Sequence, residues 1–327
     1  MSQTGKALQH RKTTLPATRP SIALALGGGG ARGLAHILML EVFDELGLKP
    51  KIIAGTSIGA IFGAAYASGF SARLIRAHTE ETLSQRLDFA RQLLSSRAEP
   101  ILKILNILPM RSAVLKPEAL LEFLLPIKVA RDFAGLKIPL KVIATDFHAQ
   151  EQVVLDSGPL RSAIAASIAL PALFTPVTVG ERVLMDGGLV NPLPFDILRG
   201  EADIVVAIDV SGASSHAVNP EAPTAFNALM ASSQILQRSI VREKLKVQQP
   251  DIYIDVAVNE YYVLEFHRFK QILTAAKPAK ELLRRQLERV LASEPIEPLP
   301  AEVPDPPRPP RKKRLARLEQ LTRRRRG

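Results

Sequence analysis

A chain of 327 residues can hold one large α/β domain with extensions, or two average domains. Its 46% hydrophobic content supports a sizeable core and excludes a disordered chain. There is no cysteine, which excludes disulfides, thiolate metal sites and cysteine nucleophiles. The net charge of +11 sits at the ends: ten Lys/Arg against Glu319 alone from Arg308 onward, and Lys6, Arg11, Lys12 and Arg19 with no acid in the first twenty residues. Residues 21–307 are left nearly neutral.

The start is polar and basic with no apolar run behind it, so no signal peptide is expected and the chain reads as cytoplasmic. Ser21–Leu26 (SIALAL) reads as a short buried strand ended by glycines. A helix follows over Leu34–Leu46, then a second strand at Lys51–Ala54 (KIIA) and a helix after Ser57. This alternation predicts a mainly parallel sheet covered on both faces. Ile52–Ala72 carries no charge over a length that could span a bilayer. Its Gly, Ser, Thr and Ala content instead fits a helix packed closely on a sheet.

Residues 71–135 break the rhythm with amphipathic helices such as Arg73–Arg91 and Pro117–Leu125. This insertion reads either as a lid or lipid-docking surface or as an ordinary helical layer. Strands return at Pro139–Thr145, Gln152–Leu155 and Arg182–Met185, with a helix around Leu160–Ala169. Asp203–Val210 and Asp251–Val256 are the last strands, on either side of a helix over Ala225–Lys246. Residues 267–292 read as a helix pair broken at Pro278, and Glu294–Pro310 as an extended proline-rich linker. The expected division is a basic extension (1–20), a catalytic domain (21–292), and a linker with basic tail (293–327).

Gly28, Gly30 and Gly33 satisfy G-x-G-x-x-G between strand and helix. A dinucleotide site needs an acid after the second strand, and none stands between Glu45 and Ala77. A P-loop fails for want of Gly-Lys-Ser/Thr. The remaining reading is an anion hole, because glycines before a helix leave backbone N–H groups unpaired at the positive end of its dipole.

Gly55-Thr56-Ser57-Ile58-Gly59 supplies a nucleophile, G-x-S-x-G, where a strand turns abruptly into a helix. Adjacent turns of a parallel sheet open at one edge, which brings Ser57 to the glycine loop. Serine needs a base. Of the six histidines, His148 and His267 are the ones positioned to complete a Ser–His–Asp triad, and neither has a supporting motif. His36, just after the loop, reads as a packing or orienting residue. Asp186 is the other candidate, in Leu184-Met185-Asp186-Gly187-Gly188. Its bland reading is an Asp-Gly turn between strands.

The ordered blocks GGGGARG, GTSIG, ASIALP (Ala166–Pro171) and DGG resemble those of patatin-like phospholipases, over roughly Ser21–Val210. That resemblance implies a three-layer α/β/α fold with a mainly parallel central sheet, and a Ser–Asp dyad without histidine. It makes Ser57 the nucleophile and Asp186 the base. Gly28, Gly29, Gly30 and Arg32 become the oxyanion hole, supported by Gly33, Gly55, Gly59, Gly187 and Gly188. The implied substrate is a lipid or other acyl ester, with no metal or cofactor. Alternatives are a histidine-triad esterase and a non-catalytic membrane adaptor. The basic tail is expected to touch an anionic membrane, and its lack of aromatics disfavours nucleic acid.

Overall fold

The computed structural model describes residues 19–95, 116–126, 128–212 and 225–292. The proline-rich linker, the basic tail, nearly all of the N-terminal extension, and His10 and His216 lie outside the described residues, as does the middle of the 71–135 insertion.

Among the described residues eight strands form one sheet: β1 (Ile22–Leu26), β2 (Ile52–Thr56), β3 (Leu140–Asp146), β4 (Gln152–Leu155), β5 (Val177–Val179), β6 (Arg182–Asp186), β7 (Ile204–Asp209) and β8 (Ile252–Asp255). The run β3-β2-β1-β7-β8 is parallel. β4 and β6 pair antiparallel with β3, and β5 pairs antiparallel with β6. The short β5 was not anticipated, since the alternation in Val177–Val179 runs for only three residues and ends at Gly180.

Side chains of β1 alternate between two cores. Ile22, Leu24 and Leu26 join the larger one, packed by α1 (His36–Glu45), α2 (Ile58–Ala67) and α7 (Phe269–Leu291). Ala23 and Ala25 face the smaller one, where Leu193, Phe195, Leu198 and, from α6 (Ala225–Val247), Val241 close over the sheet. The three-layer, mainly parallel architecture is therefore as expected. Every residue of α2 is buried, which accounts for its small uncharged composition. Among the described residues no helix is long and apolar enough to cross a membrane.

In the described parts of the insertion, α3 (Ala72–Ser95) and α4 (Pro117–Leu124) form part of the helical layer: Ala72, Ile75, Leu121 and Leu124 belong to the larger core, as does Ile164 of α5 (Leu160–Ser167). The expected helix pair at 267–292 is a single helix, α7, with Pro278 inside it. Pro278 and Thr274, whose carbonyl loses its helical partner, are both exposed, so water can satisfy that carbonyl. Buried Ile272, Ala276, Ala279, Leu283 and Leu287 continue the apolar stripe straight past the proline.

The pairing of β3 positions the site. Residues 142–145 bond to β4, which occupies one edge. β2 pairs with residues 140–143 and β6 with 144–146, each overlapping the β4 register, so both use the opposite edge. The two strands thus lie end to end with their C-termini meeting. Thr56 is opposite Ile143 and Asp186 opposite Ala144, adjacent positions of one strand.

Candidate active site

Ser57 stands between β2 and α2 with φ 54° and ψ −123°, a left-handed backbone held by a residue that is not glycine. Such a conformation costs on the order of 1–3 kcal/mol and persists only where the surroundings enforce it. Here the N–H of Ser57 donates to Ser167 Oγ at 2.8 Å, and its carbonyl accepts from Ala60 N–H at 2.9 Å. A Cβ at Gly59 would lie 2.2 Å from the carbonyl oxygen of Leu26, so glycine there lets the first turn of α2 rest on the end of β1. Gly55 is crowded likewise, 2.7 Å from Ala60 Cα.

Asp186 is the last residue of β6 and is 3% exposed. Ser57 Oγ donates to its Oδ2 at 2.7 Å, and the N–H of Gly188 donates to its Oδ1 at 2.7 Å. Its backbone is fixed as well: Asp186 N–H donates to Ala169 O, and Thr145 Oγ1 donates to Asp186 O. Burial pushes the carboxyl up to about 6, against the two hydrogen bonds, which favour the ionised form. At Gly187 a Cβ would sit 2.2 Å from Ile143 O, so the turn runs directly over β3.

The glycine loop after β1 leads into a 3-10 turn over Gly30–Ala35. The sequence reading drew oxyanion donors from Gly28, Gly29 and Gly30 alike. The N–H of Gly28, however, donates to Pro192 O at 2.9 Å. Gly28 contributes contact instead: a Cβ there would be 3.4 Å from Ser57 Cβ. Gly29 and Gly30 stand at the N-terminal end of the turn, where N–H groups have no acceptor within it, and both line the cavity beside Ser57. Arg32 is buried, with Nε donating to Gly29 O at 3.2 Å, so it braces the loop through a carbonyl. Burial pulls its guanidinium down to about 10, which leaves it cationic at neutral pH. Gly33 meets Ile58, whose Cγ2 would be 2.2 Å from a Cβ.

His36 is fully buried, with Nε2 2.8 Å from Gly27 O. Burial depresses its pKa to about 4, so the ring is neutral, and a carbonyl partner requires the proton on Nε2. It holds the loop from behind. His148 is exposed in a turn and His267 in a 3-10 helix over Phe266–Arg268, and among the described residues no histidine lines the cavity that contains Ser57 and Asp186.

That cavity has a volume of about 280 Å³. Ile61, Leu120, Leu170 and Phe174 form an apolar wall, while Ser233, Gln234 and Gln237 of α6 supply a polar strip. Ser167, Thr145 and the Asn191–Pro192 stretch are contacts the sequence reading missed. The block ASIALP was visible, but nothing local singles out its serine as the acceptor for Ser57 N–H.

The site thus sets a serine–carboxylate hydrogen bond at the end of the parallel strands, facing a glycine loop and an apolar cavity. Residues 24–199 match the family described as patatin-like phospholipase, and the chain belongs to that family. It is 36% identical over 204 residues to an uncharacterized NTE family protein of Mycobacterium tuberculosis, covering 60% of this chain and 51% of the relative. It is 33% identical over 196 residues to patatin-like phospholipase domain-containing protein 7 of Rattus norvegicus, covering 59% of this chain and 14% of that one. The chain thus spans about half the length of the mycobacterial relative. Among solved structures, VipD from Legionella pneumophila aligns over 85% of this chain and 68% of its own, at 15% identity and a TM-score of 0.42.

Proposed function

We propose that the protein is a lipid acyl hydrolase in which Ser57 is the nucleophile and Asp186 its base, within a catalytic unit spanning residues 21–292. The observation that carries this reading is the 2.7 Å hydrogen bond from Ser57 Oγ to a buried carboxylate in an apolar cavity. A carboxyl raised to about 6 is a better proton acceptor than an ordinary aspartate and is still ionised at neutral pH.

In the proposed reaction Ser57 Oγ attacks the acyl carbonyl carbon and its proton passes to Asp186. The oxyanion forms against the N–H groups of Gly29 and Gly30. Collapse expels the alcohol, which takes the proton from Asp186, and leaves the acyl group on Ser57. Water then attacks the acyl-enzyme, giving its proton to Asp186, and the departing Ser57 oxygen recovers it. No step calls for a metal or cofactor.

The apolar wall suits an acyl chain, and the polar strip of α6 suits the ester or headgroup end. Exposed Leu229 and Leu236 on α6, with Tyr262 and Leu264 in the segment beside the cavity, favour peripheral contact with a lipid surface. In this reading the basic tail adds attraction to an anionic one.

The test is hydrolysis of a p-nitrophenyl acyl ester together with labelling by a fluorophosphonate. Ser57→Ala is expected to lose at least about 10⁴-fold in rate and all labelling. Activity retained in that variant, or a wild-type protein that stays unlabelled, defeats the proposal; the latter result favours the non-catalytic adaptor.

A further inference from the structure

Asn191 and Pro192 touch all three parts of the site. The carbonyl of Asn191 accepts from Thr56 Oγ1 at 2.8 Å, and Thr56 is the buried residue immediately before Ser57. Its N–H donates to Gly187 O at 2.9 Å, inside the turn that follows Asp186. The carbonyl of Pro192 accepts from Gly28 N–H at 2.9 Å, at the base of the glycine loop. Two consecutive residues therefore tie the serine turn, the aspartate turn and the donor loop together.

A cation from α6 holds the residues on either side of Pro192. Lys244, near the end of α6, donates from Nζ to Asn191 Oδ1 at 2.5 Å, to Asp196 Oδ1 at 2.5 Å and to Leu193 O at 3.0 Å. An ammonium has three protons, and all three are used. The Asn191 side chain, in a residue 2% exposed, is completed by Nδ2 donating to Gln152 Oε1 and Asp196 Oδ1. The Lys244 Nζ also lies 4.9 Å from the centre of the Phe195 ring. Two turns earlier on α6, Gln237 lines the cavity and packs on Gly188, where a Cβ would be 3.0 Å from its Cδ.

We propose that Lys244 is a positioning residue for this site: by holding Asn191 it keeps the Asn191–Pro192 clasp in place, and the clasp keeps Ser57, Asp186 and the donor N–H groups of Gly29 and Gly30 in mutual register. Lys244 touches neither Ser57 nor Asp186. Its effect belongs to the chemical step, where a displacement of about 1 Å costs on the order of 10²-fold, and not to the apolar wall that takes the acyl chain.

The proposal rests on Ser57 being the nucleophile, so the experiment separates the two. Wild type, Lys244→Met and Thr56→Val are compared, as full chains, for fluorophosphonate labelling rate and for kcat and KM on a p-nitrophenyl acyl ester. Thr56→Val breaks one arm of the clasp with almost no change of shape, and it decides the matter if Lys244→Met does not fold. Expected is a kcat lower by 10- to 100-fold in both variants, on the order set by such misplacement, with KM within about twofold and labelling slowed in parallel. An unlabelled wild type overturns the assignment of Ser57 and the clasp with it. A labelled wild type with variants that keep its kcat, or that change KM alone, overturns the clasp and leaves Ser57 standing.

Discussion

The turns after β1 and β2 are neighbours in the sheet, both glycine-rich, and both lead from a parallel strand into helical structure, yet they handle strain in opposite ways. After β1 the left-handed position falls on Gly30, at φ 58°, where the conformation costs little. After β2 it falls on Ser57, at φ 54°, while the glycines on either side provide clearance and do not take the strain. The first turn is then braced by side chains through its carbonyls, His36 on Gly27 O and Arg32 on Gly29 O, and turns the N–H groups of Gly29 and Gly30 over to the cavity they line. The second is braced through its backbone, by Ser167 on Ser57 N–H, so that its side chain is the part left to act. A loop that offers backbone groups uses glycine where φ is positive; a loop that offers a side chain must carry strain there.

In the proposed mechanism the strained turn works only with its carboxylate, and Asp186→Asn gives the largest expected effect. Without a base, kcat should fall by about 10⁴-fold. In the wild type, activity should decline as pH drops through about 6, where Asp186 becomes protonated. Stability should move in the opposite direction. The folded carboxyl holds its proton to about 6 against an ordinary 3.8, so the native state binds more protons in that window and loses stability as pH rises through it. Urea titrations at pH 4 and 7 should show Asp186→Asn free of that loss, which amounts to on the order of 2–3 kcal/mol. Comparing the two proteins cancels His36, whose depressed pKa gives a slope of the other sign.

Gly30→Ala probes the first turn. A Cβ there would fall 2.3 Å from Val263 Cγ1 at a φ that alanine resists, so the donors must shift. The expected loss is about 10²–10³-fold in kcat, the range for losing one oxyanion donor. A variant with wild-type kcat would remove the role given to Gly29 and Gly30. The smallest effect concerns strain itself. Ser57→Gly should be more stable than Ser57→Ala by about 1 kcal/mol in thermal or urea unfolding, because only glycine relieves the positive φ. The reverse order would mean that the surroundings, and not the residue, set the cost.

Each turn was readable from the sequence because its signals are local. An apolar run followed by glycines marks a buried strand's end, and G-x-S-x-G at that place marks the turn that exposes Ser57. The strands that flank these turns were legible for the same reason. Pro278 misled because proline usually breaks a helix, whereas here the missing bond falls on the wet face. Gly28 was overcounted as a donor because its acceptor, Pro192 O, lies in a distant segment.

By itself the sequence determined the alternation of strands and helices, the two glycine turns and the presence of a serine and an acid in telling local settings. These follow from side-chain period and from backbone sterics, which act over a few residues. Only the tertiary structure decided that β2 and β6 abut on one edge of β3, which brings Ser57 and Asp186, 129 residues apart in the chain, into hydrogen-bond contact. It also decided that Asp186 is dry enough to hold its proton to about 6 and that Lys244 reaches across to the clasp. Register across a sheet edge and removal of water from a carboxylate depend on groups far apart in sequence, and no local pattern encodes them.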